Sequence, residues 1–316
     1  MKTQKKTISL VVPVLNEEDS ITPFMAEMTS CLAGLDDYRF EFIFIDDGST
    51  DGTLTALAAL AAKDKRVGII ELSRNYGKEG ALSAGIDHAD GDAVIPIDVD
   101  LQDPPHLIVK LIDQWEQGWE VVLAARSDRS SDTIVKSATA RLFYWLHNRI
   151  SAPRIPANCG DFRLMDRVVV AALRRLPENQ RFMKGLFAWV GFRTTTVEYV
   201  RDSRAAGQSK FNLLRLIDFA IQGFTSFSLA PLRMWHFLGL LASSFAVGFA
   251  IFIVVRTAFF GIDVPGYASL MTVVLFLGGL QLIGIGVLGE YLGRSYFEAK
   301  RRPAYIVRKI HPAQDD

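Results

Sequence analysis

The sequence has few cysteines and no excess of charge of either sign. Only Cys31 and Cys159 occur among its 316 residues, and they lie far apart in the chain. A disulfide framework is therefore disfavoured, and a reduced, cytosol-facing environment is favoured. The 35 basic and 35 acidic side chains cancel. This balance argues against a general nucleic-acid binder, because such proteins are strongly basic.

Two nucleotide-binding signatures are also missing. No G-x-G-x-x-G follows the first apolar run, and no G-x-x-x-x-G-K-[ST] occurs anywhere. Their absence disfavours a dinucleotide site and a P-loop. The N-terminal apolar run is too short for a signal peptide and meets Asn16 and Glu17. It therefore predicts a first strand and not a targeting segment.

Two long apolar runs near the C-terminus contrast with the rest of the chain. Phe237–Val255 carries no charged residue for 19 positions, and Ala268–Gly289 carries none for 22. Each run is long enough for a helix that crosses a hydrocarbon core about 30 Å thick. The alternative, a pair of core helices, would require burial on every side. We predict a transmembrane hairpin at residues 235–293, with spans at about 235–257 and 268–291.

The charges that flank this hairpin predict its orientation. The link between the spans holds only Arg256 and Asp263, whereas residues 294–316 form a basic tail. The positive-inside rule places the tail and the N-terminal domain, residues 1–210, in the cytoplasm, with the hairpin in the inner (plasma) membrane. Apolar residues at helical spacing predict an amphipathic interfacial helix within residues 211–234, with a helix of the soluble domain as the alternative.

Short apolar runs alternate with helical patterns in the first part of the chain, which predicts right-handed βαβ units and a parallel sheet. Ligands bind such sheets beyond the carboxyl ends of the strands. Polar stretches follow four successive strands: "NEE", "DDGSTDGT", "SRNYGKEGA" and "DVDLQDPP". Each alone is typical of a turn and a helix cap, but four at one edge favour a site. The predicted strands are Ile8–Val14, Phe40–Ile45, Val67–Leu72, Ala93–Ile97 and Val121–Ala125.

Asp98 and Asp100 lie on the same side of the chain if it stays extended. Two carboxylates so placed destabilise each other unless a cation lies between them. Mg²⁺ typically takes one or two protein carboxylates together with phosphate oxygens. The stretch therefore predicts a divalent cation that holds a nucleotide diphosphate, with Gln102 as a further oxygen ligand. A solvated acidic turn is the alternative.

Together these motifs resemble inverting family-2 glycosyltransferases of the GT-A fold. With "CGDFRLMD", "VRDSRAAGQSKF" and the hairpin, the whole chain is similar to polyisoprenyl-phosphate glycosyltransferases, which include bactoprenol glucosyltransferases and dolichol-phosphate mannose synthases. The resemblance implies an α/β fold: a GT-A catalytic domain (Rossmann-like, mainly parallel sheet), interfacial helices and a two-helix transmembrane hairpin. The Q-x-x-R-W motif of processive synthases is absent, and "QRFMKG" stands at 180–185. This departure favours transfer of a single sugar.

The resemblance also implies roles for individual residues. Asp98, Asp100 and Gln102 match the metal and diphosphate site, where Mg²⁺ or Mn²⁺ is expected, and Asp161 matches the acidic residue near the sugar and acceptor. Contacts to the nucleotide sugar are implied for Pro13, Asn16, Glu17, Asp46 (near the base), Arg74 and Lys78. Contacts to phosphates or the acceptor are implied for Arg201, Arg204, Ser209 and Lys210, although these basic residues could instead contact lipid headgroups.

The implied reaction transfers a sugar from a nucleotide sugar to the membrane lipid polyprenyl phosphate, and UDP-glucose is the favoured donor. GDP-mannose and an aminoarabinose nucleotide stay open as donors, and a non-catalytic scaffold or flippase partner is the alternative of another class. Small residues on the second span favour close helix packing, either within the chain or in a homo-oligomer. These residues are Gly278, Gly279, Gly284, Gly286 and Gly289.

Overall fold

An eight-stranded mixed sheet forms the centre of the N-terminal domain. The computed structural model describes residues 5–127, 149, 156, 158–179, 181–199, 228–260 and 266–314. The strand order is β7-β5-β6-β4-β1-β2-β3-β8. The strands are β1 (Lys6–Val14), β2 (Tyr38–Asp46), β3 (Val67–Leu72), β4 (Ala93–Pro96), β5 (Val121–Arg126), β6 (Cys159–Asp166), β7 (Thr194–Tyr199) and β8 (Val307–His311).

The five predicted strands are confirmed, and the central pairs β4–β1, β1–β2 and β2–β3 are parallel. The polar strand ends therefore meet at one edge, as the sequence predicts. Strand β6 runs antiparallel to β4 and β5, so its first residues lie at that same edge. This reversal brings Asp161 toward the residues that follow β4.

Helices cover both faces of the sheet and create two apolar layers. One layer contains Phe24, Phe42 and Leu111, and the other contains Val11, Ile45 and Leu82. These strands are buried on both sides, which explains their continuous apolar runs. The helices are α1 (Glu18–Leu32), α2 (Thr53–Ala61), α3 (Lys78–His88), α4 (Leu107–Glu116), α5 (Arg167–Arg174), α6 (Met183–Trp189), α7 (Ala230–Phe260) and α8 (Tyr267–Ala299).

Helices α7 and α8 are long and apolar enough to cross a membrane. The candidate spans are Leu232–Phe259 and Ser269–Ala299. The most apolar 18-residue stretch of the first span has a mean hydropathy of 2.5 and is 0% buried, and that of the second has a mean hydropathy of 2.2 and is 6% buried. Helices in the core of a soluble protein would be mostly buried, so this exposure argues against the alternative of two core helices. Trp235 of α7 lies where a Cβ on Gly284 of α8 would sit. Gly284 thus serves packing within the chain.

The structure adds secondary structure to the predicted basic tail at residues 294–316. Helix α8 continues to Ala299, and β8 then pairs antiparallel with β3 at the edge of the sheet. The physical reason is that an edge strand presents unpaired N–H and C=O groups, and β8 satisfies those of β3. The hydroxyl of Tyr305 also donates to Asp87 at 2.9 Å. Residues 305–311 are therefore attached to the sheet of the N-terminal domain.

Candidate active site

The loops after β1 and β2 are tied together by two of the predicted donor-binding residues. The backbone N–H of Asn16 donates to Ser49 Oγ at 3.0 Å, and Asn16 Oδ1 accepts from the N–H of Thr50 at 2.8 Å. The N–H of Glu17 donates to Thr53 Oγ1 at 2.8 Å. The side chain of Asn16 therefore organises the two loops.

Two consecutive buried aspartates lie at the carboxyl end of β2, Asp46 as its last residue and Asp47 directly after it. Asp46 is 4% exposed, and its carboxylate accepts from the N–H of Ser49 within the same turn at 3.2 Å. Asp47, which the sequence reasoning missed, accepts from the N–H groups of Tyr76 and Gly77 at 2.7 and 2.9 Å. Burial raises the pKa of the Asp47 carboxyl, although these two donors oppose the shift. Asp47 thus fixes the turn that starts α3.

Lys78, the first residue of α3, lies between two of the predicted catalytic carboxylates. Its Nζ is 2.8 Å from Asp98 and 3.0 Å from Asp161. Burial alone would lower the pKa of Lys78, but the charges of Asp161 and Asp98 raise it above its usual value. Lys78 is therefore a permanent cation that joins the end of β4 to the start of β6.

Asp161 lies in a strongly cationic environment. Burial raises the pKa of its carboxyl, but the charges of Lys78 and Lys184 outweigh burial, so the pKa lies below its usual range. Arg163 is 6% exposed, donates to the backbone carbonyl of Gly160 at 2.6 Å and stacks on Phe187 at 4.0 Å. Asp161 is thus an ionised, firmly held carboxylate at neutral pH.

The remaining acids of "DVDLQD" have separate environments. Asp100 is exposed, and its Oδ1 accepts from the backbone N–H of Gln102 at 3.1 Å. Asp103 is 6% exposed and accepts from the hydroxyl of Tyr199. Asp103 therefore joins this loop to β7, while Asp98 and Asp100 line the cavity at the carboxyl edge.

A cavity of about 270 Å³ brings several predicted residues together at the carboxyl edge. Its lining includes Pro13, Glu17, Asp47, Lys78, Asp98 and Asp100. The guanidinium of Arg74 instead stacks on Tyr76 at 4.1 Å and donates to the carbonyl of Asn75. A larger groove of about 930 Å³ includes Lys5, Arg39 and His311 and contains no predicted site residue.

Four predicted residues, Arg201, Arg204, Ser209 and Lys210, lie outside the described residues, as does most of the predicted interfacial helix, residues 211–227. Their roles stay predictions.

Glu79 is a further acid at this site that the sequence reasoning did not single out. It follows Lys78 on α3, and its carboxylate accepts from the N–H of Met183 at 3.1 Å. Burial and the charge of Asp161 raise its pKa to about 7. The signal available in the sequence was its position one residue after a predicted binding lysine.

The raised pKa of Glu79 predicts a pH-dependent stability. The folded protein holds this proton to about pH 7, whereas the unfolded chain loses it near 4.5, so stability falls as pH rises between these values. Glu79→Gln keeps an acceptor for Met183 and is expected to exceed the wild type at pH 8 by about 2 kcal/mol, with little difference at pH 4.5. Urea unfolding in detergent at both pH values measures this.

The control for that experiment is Glu116→Gln, which removes an exposed surface pair with Lys6. It should change stability by less than about 1 kcal/mol at either pH. An equal effect of Glu79→Gln at both pH values would contradict the assignment.

Replacement of Lys78 by methionine is expected to lower kcat/KM by about 10–100-fold, because loss of the charge leaves Asp98 and Asp161 without their shared cation. Steady-state kinetics measure this. Lys78→Arg keeps the charge and should retain more activity. Lys184→Met, which removes a second charge acting on Asp161, should cost less. Wild-type kinetics in Lys78→Met would show that the bridge has no role.

The mixed sheet with its acidic carboxyl edge is the arrangement expected of a GT-A glycosyltransferase. The model of glycosyl transferase family 2 matches residues 9–174, more than half of the chain, and the chain belongs to that family.

Similar proteins support both the family and the fold. The chain is 53% identical to the SfII prophage-derived bactoprenol glucosyl transferase of Shigella flexneri, over 96% of this chain and 98% of that protein. It is 51% identical to the uncharacterized glycosyltransferase sll0501 of Synechocystis, over 96% and 95%. The mannosyltransferase PcManGT of Pyrobaculum calidifontis, solved with GDP-Man and Mn²⁺, shares the fold with a TM-score of 0.51 at 17% identity, covering 94% of this chain and 88% of that one.

Proposed function

We propose that the protein transfers one glucose from UDP-glucose to polyprenyl (undecaprenyl) phosphate, which yields polyprenyl-phosphate-glucose and UDP. The observation that carries this proposal is the near full-length similarity to a bactoprenol glucosyl transferase, which includes both the catalytic half and the apolar helices. The cavity at the carboxyl edge that contains Lys78, Asp98 and Asp100 supports a donor site there.

The acceptor explains the apolar helices. A long isoprenoid stays in the bilayer, so an enzyme that uses it must hold its catalytic site at the membrane surface. We propose that α7 and α8 form a hairpin in the inner membrane, with the catalytic domain in the cytoplasm where nucleotide sugars are found. The cluster of Lys300, Arg301 and Arg302 just after α8 supports this orientation. A homo-oligomer stays a prediction.

The donor set at Asp98 and Asp100 fits a hard divalent cation. Among the described residues no group of three or more His, Cys, Asp or Glu side chains could hold a metal. Two carboxylates with the amide oxygen of Gln102 still suit Mg²⁺ or Mn²⁺, because diphosphate oxygens and water complete such sites. A bound ion would stabilise, as a Lewis acid, the charge that develops on the departing diphosphate.

The residues around the cavity can each act on the transfer. Inversion requires in-line attack by an acceptor phosphate oxygen on the anomeric carbon, with UDP leaving from the opposite face. The phosphate is largely ionised near pH 7, because its second pKa is about 6. It therefore needs little help from a general base, and Asp161 positions the sugar or the acceptor. Lys78 holds Asp161 and Asp98 in one arrangement.

A donor panel tests this function. Purified full-length protein in vesicles with polyprenyl phosphate and Mg²⁺ or Mn²⁺ receives UDP-glucose, GDP-mannose or an aminoarabinose nucleotide, and lipid-linked sugar is measured. We expect product from UDP-glucose with the β-anomeric configuration, and none when polyprenol replaces its phosphate. Faster transfer from GDP-mannose would show that UDP-glucose is not the preferred donor. A folded protein that transfers no sugar would favour a scaffold or flippase partner.

A further inference from the structure

A second cleft separates the catalytic half from the end of α8. It has a volume of about 500 Å³ and lies between the first turns of α3, the segment before α6 and residues 289–297 of α8. The backbone N–H of Asn179 donates to the Glu298 carboxylate at 3.0 Å, which holds α8 beside this cleft. The cleft is distinct from the cavity that contains Asp98 and Asp100.

The proposed membrane hairpin puts this cleft at the membrane surface. The charge-free stretch Ala268–Gly289 has 22 residues, which as a helix span about 33 Å, close to the thickness of a hydrocarbon core. Glu290 and Arg294 are the first charged residues after it, and they form an ion pair at 3.2 Å. The cleft therefore begins where the apolar span ends, at the level of lipid headgroups.

The lining combines apolar surface with charges of both signs, two arginines and the carboxyl groups of Glu79 and Glu290. Gly289 and Gly293 leave open space above the helix backbone, and Phe182 and Phe297 add aromatic walls. Arg181 and Arg294 also line the cleft, with only 12% and 17% of their side chains exposed. Arginine suits phosphate groups, and a bare glycine surface admits a flat hydrocarbon chain.

Glu79 connects this cleft to the catalytic cluster. It lines the cleft, whereas its neighbour Lys78 contacts Asp98 and Asp161. Glu79 is also close enough to Asp161 for that charge to raise its pKa. At neutral pH the Glu79 carboxyl is substantially protonated, so it repels an anion less than an ionised acid would. Only the first turn of α3 separates the cleft from the reacting groups.

We propose that this cleft is the lateral entrance for the lipid acceptor: the isoprene units next to the phosphate lie against Gly289 and Gly293, with Arg181 and Arg294 beside the phosphate. This inference rests on the proposed function, since it assigns the place where polyprenyl phosphate enters. It explains why α8 extends beyond the apolar span and is fixed to the catalytic half.

Leucine substitutions test the entrance kinetically. Gly289→Leu and Gly293→Leu fill the cleft and are expected to raise the KM for polyprenyl phosphate about tenfold, with the KM for UDP-glucose unchanged. Gly278→Leu and Gly286→Leu are matched controls, because they lie on the same helix with open space at Cβ and outside the cleft. Arg294→Gln should raise the acceptor KM by a similar factor, because it removes a charged phosphate contact.

A second measurement uses the wild-type protein and so avoids any loss of folding. A polyprenyl phosphate with a diazirine on the first isoprene unit should label residues 289–297 or the start of α3. Labelling confined to other segments would contradict the proposed entrance. An unchanged KM for polyprenyl phosphate in Gly289→Leu and Gly293→Leu would contradict it as well. If excess phosphatidylglycerol suppresses labelling of residues 289–297 and the start of α3 as strongly as unlabelled polyprenyl phosphate does, the cleft holds bulk anionic lipid and the inference is wrong. Wild-type transfer from UDP-glucose separately reports whether the proposed function holds.

Discussion

Asp100→Ala is expected to lower kcat by about 10³-fold while the protein stays folded and membrane-bound. Asp100 is exposed, and its carboxylate accepts a hydrogen bond only from the nearby N–H of Gln102 among the contacts described above. Removing this side chain should therefore cost little stability. Its carboxylate is one of two after β4 that line the cavity at the carboxyl edge. With one carboxylate left, a divalent cation would be held weakly, and the charge on the leaving diphosphate would lose its main stabilisation.

Three measurements check this prediction. Transfer assays give the loss in kcat, and Mn²⁺ binding in the presence of UDP, followed by electron paramagnetic resonance, should weaken. Asp113→Ala, an exposed acid on α4 away from the site, is the matched control and should be fully active. In the wild-type enzyme a chelator should stop transfer, and added Mg²⁺ or Mn²⁺ should restore it. Undiminished turnover in chelator would refute the metal site.

The strands that could be predicted are those with the most uniform environment. Central strands β1 to β4 are covered on both faces, so their sequences are continuous apolar runs with polar residues at one end. Strand β8 was missed, because an edge strand that reads "VRKIH" has charged residues on an exposed face and no such run. Its pairing depends on where α8 delivers the chain, which only the assembled fold determines.

At the site, too, some residues can be recognised from the local sequence, whereas others are brought together only by the fold. Asp98 and Asp100 are recognisable because their spacing after a strand has a direct chemical meaning. The Lys78 bridge is different, since it exists only because β6 runs antiparallel and returns Asp161 to the carboxyl edge. Similarly, "DDGST" offers two acids, and only the fold shows that Asp47 holds the turn before α3.

The environment of Asp161 decides which catalytic role its carboxylate can take. Lys78 and Lys184 outweigh the effect of burial and keep its pKa below the usual range. A carboxylate with a lowered pKa is a weak base, and the acceptor phosphate already ionises with a pKa of about 6. Both facts favour a role in orientation through charge and hydrogen bonding. The same ionisation of the acceptor should make kcat/KM rise with pH between 5 and 7 whether or not Asp161 is present.

Asp161→Asn is therefore expected to reduce kcat by about 10²-fold at every pH from 6 to 9, the scale of loss that follows from a misplaced substrate. Asparagine keeps the shape and an acceptor oxygen but loses the charge that pairs with Lys78, so the sugar or phosphate is held less accurately. The pH profile of kcat/KM should keep the acid limb of the wild type, because that limb belongs to the acceptor phosphate. Single-turnover transfer across this pH range measures both quantities. A large loss at pH 6 that disappears at pH 9 would mean that Asp161 removes a proton, and the orienting role would then be wrong.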